Sequence, residues 1–158
     1  MHCNKVSVPT FGPLFYRAGS RTMKIEDDQL LQPEGELSLQ LPAGPDAVNM
    51  FGDVYGGWVS AQAVLACEIR AGQEAKGRIA TVSVGRMTFM SPVMKGTILG
   101  FYTRVLERGH SSLRIVVECW GQCPDGRAPR KVTACECVQV AIDADGHIRR
   151  LPPAEHQS

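Results

Sequence analysis

The residues best suited to chemistry lie in one short glycine-rich stretch. Gly52, Gly56 and Gly57 occur within six residues, enclose the carboxylate of Asp53, and lead into an apolar stretch that begins at Trp58. N–H groups at a helix start lack intrahelical partners, and the helix dipole favours negative charge there. Such a turn can polarise an ester or thioester carbonyl through its amides alone. The alternative is a tight loop in which Asp53 caps the helix.

Other catalytic arrangements find little support in the sequence. A Ser-His-Asp or Cys-His centre needs a positioned histidine, and no Gly-x-Ser-x-Gly turn is present. The glycine spacing also matches neither a P-loop nor a dinucleotide-binding fingerprint. The four histidines fall in an end or a turn of the chain: His2, His110, His147 and His156.

The composition limits the kinds of binding partner that we expect. The formal net charge of +1 gives no reason to expect nucleic acid or an anionic membrane as a partner. No apolar run is long enough to span a bilayer, and no secretory h-region follows the N-terminus, so we expect a soluble cytoplasmic protein. Among the six cysteines, Cys119 and Cys123 are four apart, and Cys135 and Cys137 are two apart. These spacings favour reduced, buried thiols and predict no metal site.

The surrounding elements predict an α+β domain. Alternating polar and apolar residues indicate a strand at 36–41, and small residues at helical spacing indicate a helix from Trp58 to Gly72. One sheet curled around this helix would allow the close packing that small residues imply. Four further strands are predicted, which pair most simply as antiparallel neighbours: 78–90, 97–107, 113–120 and 131–142.

The N-terminal part differs from the rest. Residues 1–23 show no sustained period and contain two prolines and scattered aromatics. We expect residues 1–23 to be a poorly ordered extension, the alternative being a docking arm, and residues 24–158 to be the folded domain.

The glycine-rich stretch carries a resemblance to a known protein family. Asn49-Met-Phe-Gly-Asp53-Val-Tyr-Gly-Gly-Trp58 resembles the signature of hotdog acyl-CoA thioesterases of the YciA type, and the likeness covers roughly residues 35 to 153. The resemblance implies a hotdog fold, in which an antiparallel curled sheet wraps one long central helix. It also implies acyl-CoA substrates without a metal or organic cofactor, coenzyme A being part of the substrate. Finally, it implies a homodimer with active sites between subunits, possibly assembled as a trimer of dimers.

The resemblance also assigns site residues. The catalytic candidates are Asn49, Asp53, Gly56, Gly57 and the helix residue Gln62. The substrate-binding candidates are Tyr55, Trp58, Ser111, Ser112, Arg130 and Lys131. The basic pair would bind the phosphates of coenzyme A, with the serine hairpin beside it. The alternative for the basic pair is two solvated charges at a strand edge.

One position departs from the family pattern. The family usually places an acid on the helix seven positions past the second glycine, and that position is Val64 here. Glu68 lies one turn further, and its position suggests a solvent-facing acid near the helix end, which leaves Asp53 as the best candidate for activating water. We expect an acyl-CoA thioesterase; the alternatives are a non-catalytic acyl-CoA-binding protein, a hydroxyacyl dehydratase, which would need a histidine near the glycines, and a purely structural protein.

Overall fold

A computed structural model describes residues 32–154. The predicted extension at 1–23 lies outside these residues, so the division of the chain after residue 23 stays a prediction. The described part contains one α-helix and five strands, with a short 3₁₀ turn at Pro45–Ala47. Their bounds are β1 Glu36–Pro42, α1 Gly56–Ala75, β2 Ile79–Val84, β3 Ile98–Arg108, β4 Ser112–Gln122 and β5 Arg130–Ala141. No helix of this part combines the length and the apolar character needed to cross a bilayer.

The strands form one antiparallel sheet in the order β1-β3-β4-β5-β2. β3, β4 and β5 are joined by successive hairpins, whereas β2 reaches the far edge beside β5. Helix α1 packs against all five strands. The predicted α+β architecture, one sheet around one helix, is therefore confirmed.

Small side chains allow α1 to lie close to the sheet. Ala63, Ala66, Cys67 and Ala71 are at most 1% exposed, because they meet the large apolar side chains of the sheet. The sheet contributes Leu99, Phe101, Leu113, Ile115 and Val117 to this core. The close packing expected from the sequence is confirmed, and it fixes the position of the helix start.

The helix is longer than the sequence predicted. It begins at Gly56 and ends at Ala75, three residues past the predicted stop at Gly72. Lys76 takes a left-handed conformation, and the Gly77 N–H closes on the Gly72 carbonyl at 3.2 Å, the arrangement of a Schellman cap. The Arg149 guanidinium also donates to the Ala75 carbonyl at 2.8 Å. Gly72 is therefore an interior residue, because the cap comes from residues that follow it.

β2 is shorter than predicted. The predicted strand at 78–90 keeps its ladder only over Ile79–Val84. Gly85 then approaches β5 so closely that a Cβ there would lie 2.9 Å from the Glu136 carbonyl oxygen. Beyond it the chain is irregular, although the Met90 N–H still donates to the Val132 carbonyl at 2.8 Å. This segment runs beside β5 toward the start of α1.

A buried carboxylate ties the sheet together on the face opposite the helix. Glu118 lies between two core residues of β4, so alternation turns its side chain away from α1, and the residue is 8% exposed. It accepts hydrogen bonds from Trp120 Nε1 at 3.0 Å, Lys131 Nζ at 2.5 Å and the Glu34 N–H at 3.2 Å. Burial acts to raise the pKa of Glu118, but these donors outweigh it and hold that pKa below its usual value.

Glu118 should therefore stabilise the fold in a pH-dependent way. Since its folded-state pKa is lowered, its contribution is full above the unfolded pKa near 4.5 and is lost as pH falls through the lower folded value. Glu118→Gln should reduce the free energy of unfolding by about 1–2 kcal/mol at pH 7 and by less at pH 3. Urea unfolding at both pH values measures this difference. The matched control is Glu136→Gln on an exposed β5 position, and an equal loss at both pH values would contradict the assignment.

Candidate active site

Asn49 organises the loop that leads to the helix. Its Oδ1 accepts the N–H groups of Phe51 at 2.9 Å and Asp53 at 3.1 Å, and its own N–H donates to the Asp53 carbonyl at 2.7 Å. Gly52 supplies the positive φ of 85° that this tight turn requires. The side-chain oxygen of Asn49 therefore holds the turn in shape. Its amide NH₂ group is the part left to meet a substrate.

Asp53 does not cap the helix. The N-cap residue is Tyr55, and no side chain caps the helix there. Asp53 instead pairs its backbone with Met94 in an isolated β-bridge, and the residue is exposed. Among residues 32–154, none donates a hydrogen bond to its carboxylate. The capping alternative is wrong, and the Asp53 carboxylate faces solvent.

The helix start carries two open amides. Gly56 and Gly57 are the first two residues of α1, and within the described part of the chain neither N–H has an acceptor. A methyl group at Gly56 would lie 3.1 Å from the Phe89 ring, and one at Gly57 would lie 3.2 Å from the Tyr55 ring. Because both positions lack a side chain, a carbonyl oxygen can approach these amides beside the two rings. This is the arrangement of an oxyanion hole.

The aromatic neighbours separate into different roles. Tyr55 is 42% exposed and stands at the helix start, where it can meet a ligand. Trp58 is 9% exposed and belongs to the hydrophobic core. Its contact with substrate stays a prediction. Gln62 is half-buried one turn further along the helix, and its assigned role stays a prediction.

An apolar surface that the sequence patterns do not predict lies around the helix start. Its members come from the loop before α1 and from the irregular segment after β2. They are Met50 at 91% exposure, Phe51 at 82%, Phe89 at 41%, Met90 at 51% and Met94 at 39%. The signal in the sequence was the pair of large apolar residues inside a loop. Exposed apolar surface of this kind marks a binding site or an interface.

Position 64, where the family has an acid, is apolar in this chain, and the carboxylate of Glu68 one turn further is hydrogen-bonded. Val64 is half-buried and packs against the core. Glu68 is half-buried, and its Oε1 accepts a hydrogen bond from Thr81 Oγ1 at 2.7 Å. The interpretation of Glu68 as a solvent-facing acid near the helix end is wrong, because the helix continues to Ala75 and β2 covers one side of the carboxylate.

The two basic candidates differ in what they already bind. Lys131 is paired with the buried Glu118, so its charge is engaged inside the fold. Arg130 donates to Cys123 Sγ at 3.8 Å and, among residues 32–154, has no carboxylate partner. Both stand at the start of β5, at the same end of the sheet as the glycine turn. Arg130 is therefore the better candidate for a phosphate.

Ser111 and Ser112 lie at the other end of the sheet. In the β4–β5 ladder, Ser112 pairs with Val140, whereas Gly121 pairs with Arg130. Ten residues of β5 separate these pairs, which is about 33 Å along a strand. The expectation that the serine hairpin lies beside the basic pair is wrong within one chain. The two groups can serve one ligand only if it bridges different subunits.

One group of side chains has the composition of a cation site. Ligand atoms of Asp143, Asp145 and His147 lie within 4.8 Å of one another in the turn after β5. Asp143 Oδ1 already accepts the N–H groups of Asp145 at 3.0 Å and His147 at 2.8 Å, so its carboxylate shapes the turn. This turn is at the opposite end of the domain from the helix start.

Comparisons with known proteins agree with this geometry. The thioesterase superfamily profile matches residues 51–123, which span the glycine turn, α1, β2, β3 and β4. The acyl-CoA thioester hydrolase YciA of Salmonella typhimurium is 39% identical over 124 residues, covering 76% of this chain and 92% of that protein.

Two solved structures share the fold. One is the hexameric thioesterase y2039 from Yersinia pestis, with a TM-score of 0.74 and 37% identity over 78% of this chain and all of that one. The other is HI0827, a hexameric broad-specificity acyl-coenzyme A thioesterase, with a TM-score of 0.74 and 34% identity over 80% of this chain and 88% of that one. The sheet and helix described above are thus the hotdog fold. The chain belongs to the YciA family of acyl-CoA thioester hydrolases within the thioesterase superfamily.

Proposed function

We propose that the protein hydrolyses acyl-CoA thioesters to a free acid and coenzyme A. The observation that carries this proposal is the open helix start, where two amides without acceptors face an apolar surface. A thioester carbonyl bound there would be polarised by the Gly56 and Gly57 amides, which also stabilise the oxyanion formed when water attacks. As the water attacks, it gives up a proton to a base; the C–S bond of the tetrahedral intermediate then breaks, and the thiolate of coenzyme A leaves and takes up that proton. The relatives named above act on this class of substrate.

The apolar surface around the helix start would accept the acyl chain. Met50, Met90 and Met94 are unbranched and adapt to chains of different shape. This suits an enzyme with broad acyl specificity, as HI0827 is described to be. The reactants are the thioester and water, so we propose that turnover needs no metal or organic cofactor.

The nucleotide part of coenzyme A would be held through its phosphates. Arg130 is half-buried at the start of β5, at the same end of the domain as the glycine turn, and it can donate a charge-assisted bond to a phosphate. Lys131 would act less directly, because Glu118 holds its ammonium group.

We further propose a homodimer at minimum, formed through β2, and a hexamer as a trimer of such dimers. β2 is an edge strand of the sheet, and its Val82 and Val84 side chains are 58% and 49% exposed. A second copy of β2 would pair with this edge and cover both side chains. Both structural relatives named above are hexameric.

A cytoplasmic location is part of the same proposal. Five cysteines of the described part are free and buried, which suits a reducing compartment.

Turnover is the direct test of the proposal. The purified protein should release free thiol from short, medium and aromatic acyl-CoAs, and Gly57→Val should lower kcat by roughly 10²-fold, since its side chain keeps the carbonyl away from the amide. Gly72→Ala is the matched control at the other end of the helix, where a Cβ would have only an ordinary contact at 3.8 Å. Bound coenzyme A without turnover on any substrate would favour the non-catalytic alternative.

Arg130→Ala should weaken coenzyme A binding by about 1.5–3 kcal/mol, the value of a hydrogen bond to a charged group. Isothermal titration measures the loss, and thermal unfolding checks that the fold is intact. Arg104→Ala removes an arginine from the exposed face of β3 and serves as the control, with affinity expected to stay unchanged. Equal affinities of native and Arg130→Ala protein would support the solvated strand-edge alternative.

The assembly can be tested at the β2 edge. Val82→Lys places a charge in the proposed dimer contact and should shift the protein toward monomer at micromolar concentration in sedimentation velocity. Ile148→Lys alters an equally apolar side chain, 67% exposed in the turn after β5, and should leave the assembly as in the native protein. A dimer that survives Val82→Lys would show that the contact lies elsewhere.

A further inference from the structure

A polar network connects the helix to the two strands beside it. Thr81 Oγ1 lies 2.7 Å from Glu68 Oε1 and 2.8 Å from Gln139 Oε1. Gln139 has no exposed surface, and its Nε2 is one of two buried side-chain polar atoms without a partner in the described part of the chain. Three polar side chains, one each from α1, β2 and β5, thus meet where the helix faces these two strands.

The single hydroxyl proton of Thr81 limits which of these atoms can donate hydrogen bonds and which must accept them. A hydroxyl carries one proton, so Thr81 cannot donate to two oxygens at once. If the Gln139 amide presents its nitrogen, Nε2 donates to Thr81 Oγ1, which then donates to the Glu68 carboxylate. This arrangement gives Nε2 an acceptor, leaves Oε1 at the place without a partner in the described part of the chain, and fixes one carboxylate oxygen of Glu68. The other oxygen, Oε2, stays available to a water molecule.

The same side chain is placed for the chemistry that Val64 cannot perform. Positions 64 and 68 lie on one helix face, about 6 Å apart along the axis. In many active sites the catalytic group is oriented by a hydrogen bond from a second side chain, which is in turn oriented by a third. Glu68, Thr81 and Gln139 have this arrangement. We propose that Glu68 is the catalytic carboxylate of this chain, the acid having moved one helical turn from position 64. Thr81 and Gln139 are its positioning residues.

This proposal rests on the proposed function and on a second copy of the chain. Glu68 is eleven residues past Gly57, about 16 Å along a straight helix, so it cannot reach a carbonyl held by the glycine turn of its own chain. A two-fold axis through paired β2 strands reverses the direction of the second helix, so that the helices run antiparallel. The glycine turn of one copy then faces the later part of the other copy's helix, where Glu68 activates water.

The first experiment compares Glu68→Gln with Glu107→Gln on the native background. Glu68→Gln keeps the acceptor for Thr81 and should fold, but it should lower kcat by 10²–10⁴-fold with little change in KM. Glu107 forms an exposed ion pair with Arg114 at 2.7 Å, and its variant should keep native activity.

Thr81 gives a second measurement with an internal control. Thr81→Val removes the hydroxyl and should lower kcat by roughly 10- to 100-fold, because the carboxylate loses its orientation. Thr81→Ser keeps the hydroxyl and should keep most of the activity. Equal activities in these two variants would overturn the positioning role, and this comparison remains decisive if Glu68→Gln fails to fold.

Mixed dimers test whether the site is shared. Co-expression of Glu68→Gln with Gly57→Val should recover up to about a quarter of native activity, since half of the dimers are mixed and each has one of its two sites intact. No recovery, with both variants folded and dimeric, would overturn the proposal. If the native protein hydrolyses acyl-CoA while Glu68→Gln stays within threefold of it, this inference fails and the proposed function stands. If the native protein hydrolyses none, the proposed function itself fails.

Discussion

The structure depends on how closely α1 approaches the sheet. After Trp58 and Val59 in its first turn, its buried face consists of alanines and a cysteine, so nothing larger than a methyl or thiol separates that part of the helix from the sheet. A helix fixed at this distance points its first amides toward one end of the sheet, where the glycine turn lies. It also turns position 68 toward β2, where Thr81 can reach the carboxylate. Filling the core and placing the reactive groups are thus consequences of the same packing.

Local patterns were sufficient for the elements but not for their ends. Alternation located the strands, and small residues at helical spacing located the helix. Glycine often ends helices, so the sequence predicts a stop at Gly72. The cap comes instead from Lys76, Gly77 and the guanidinium of Arg149, which lies 74 residues after Ala75. β2 ends at Val84, and the next residue, Gly85, lies so close to β5 that a side chain there would meet the Glu136 carbonyl oxygen. The helix cap and the approach of Gly85 to β5 both involve residues far apart in the chain.

The same limit applies to the site. The glycine turn is local, so its motif could be recognised from the sequence together with Asn49 and Asp53. Trp58 lies in that motif but packs inward, and Lys131 pairs with Glu118 across a strand ladder; neither fact can be deduced from spacing. The serine hairpin and the basic pair belong to opposite ends of one ladder, which becomes visible only once β4 and β5 are set in register.

The function of a catalytic carboxylate depends on its position in space and its hydrogen-bond partners more than on its position in the sequence. A carboxylate that is half-buried on a helix is oriented where a donor meets it. Thr81 Oγ1 meets the carboxylate at position 68 and also contacts the side-chain amide of the buried Gln139. At position 64 the surroundings pack against valine, and the side chain contributes to the core instead. Positions 64 and 68 share a helix face but lie about 6 Å apart, so an acid at position 68 can serve the reaction only where the thioester is bound correspondingly nearer to it. Loss of the acid at position 64 is therefore weak evidence that the chemistry was lost.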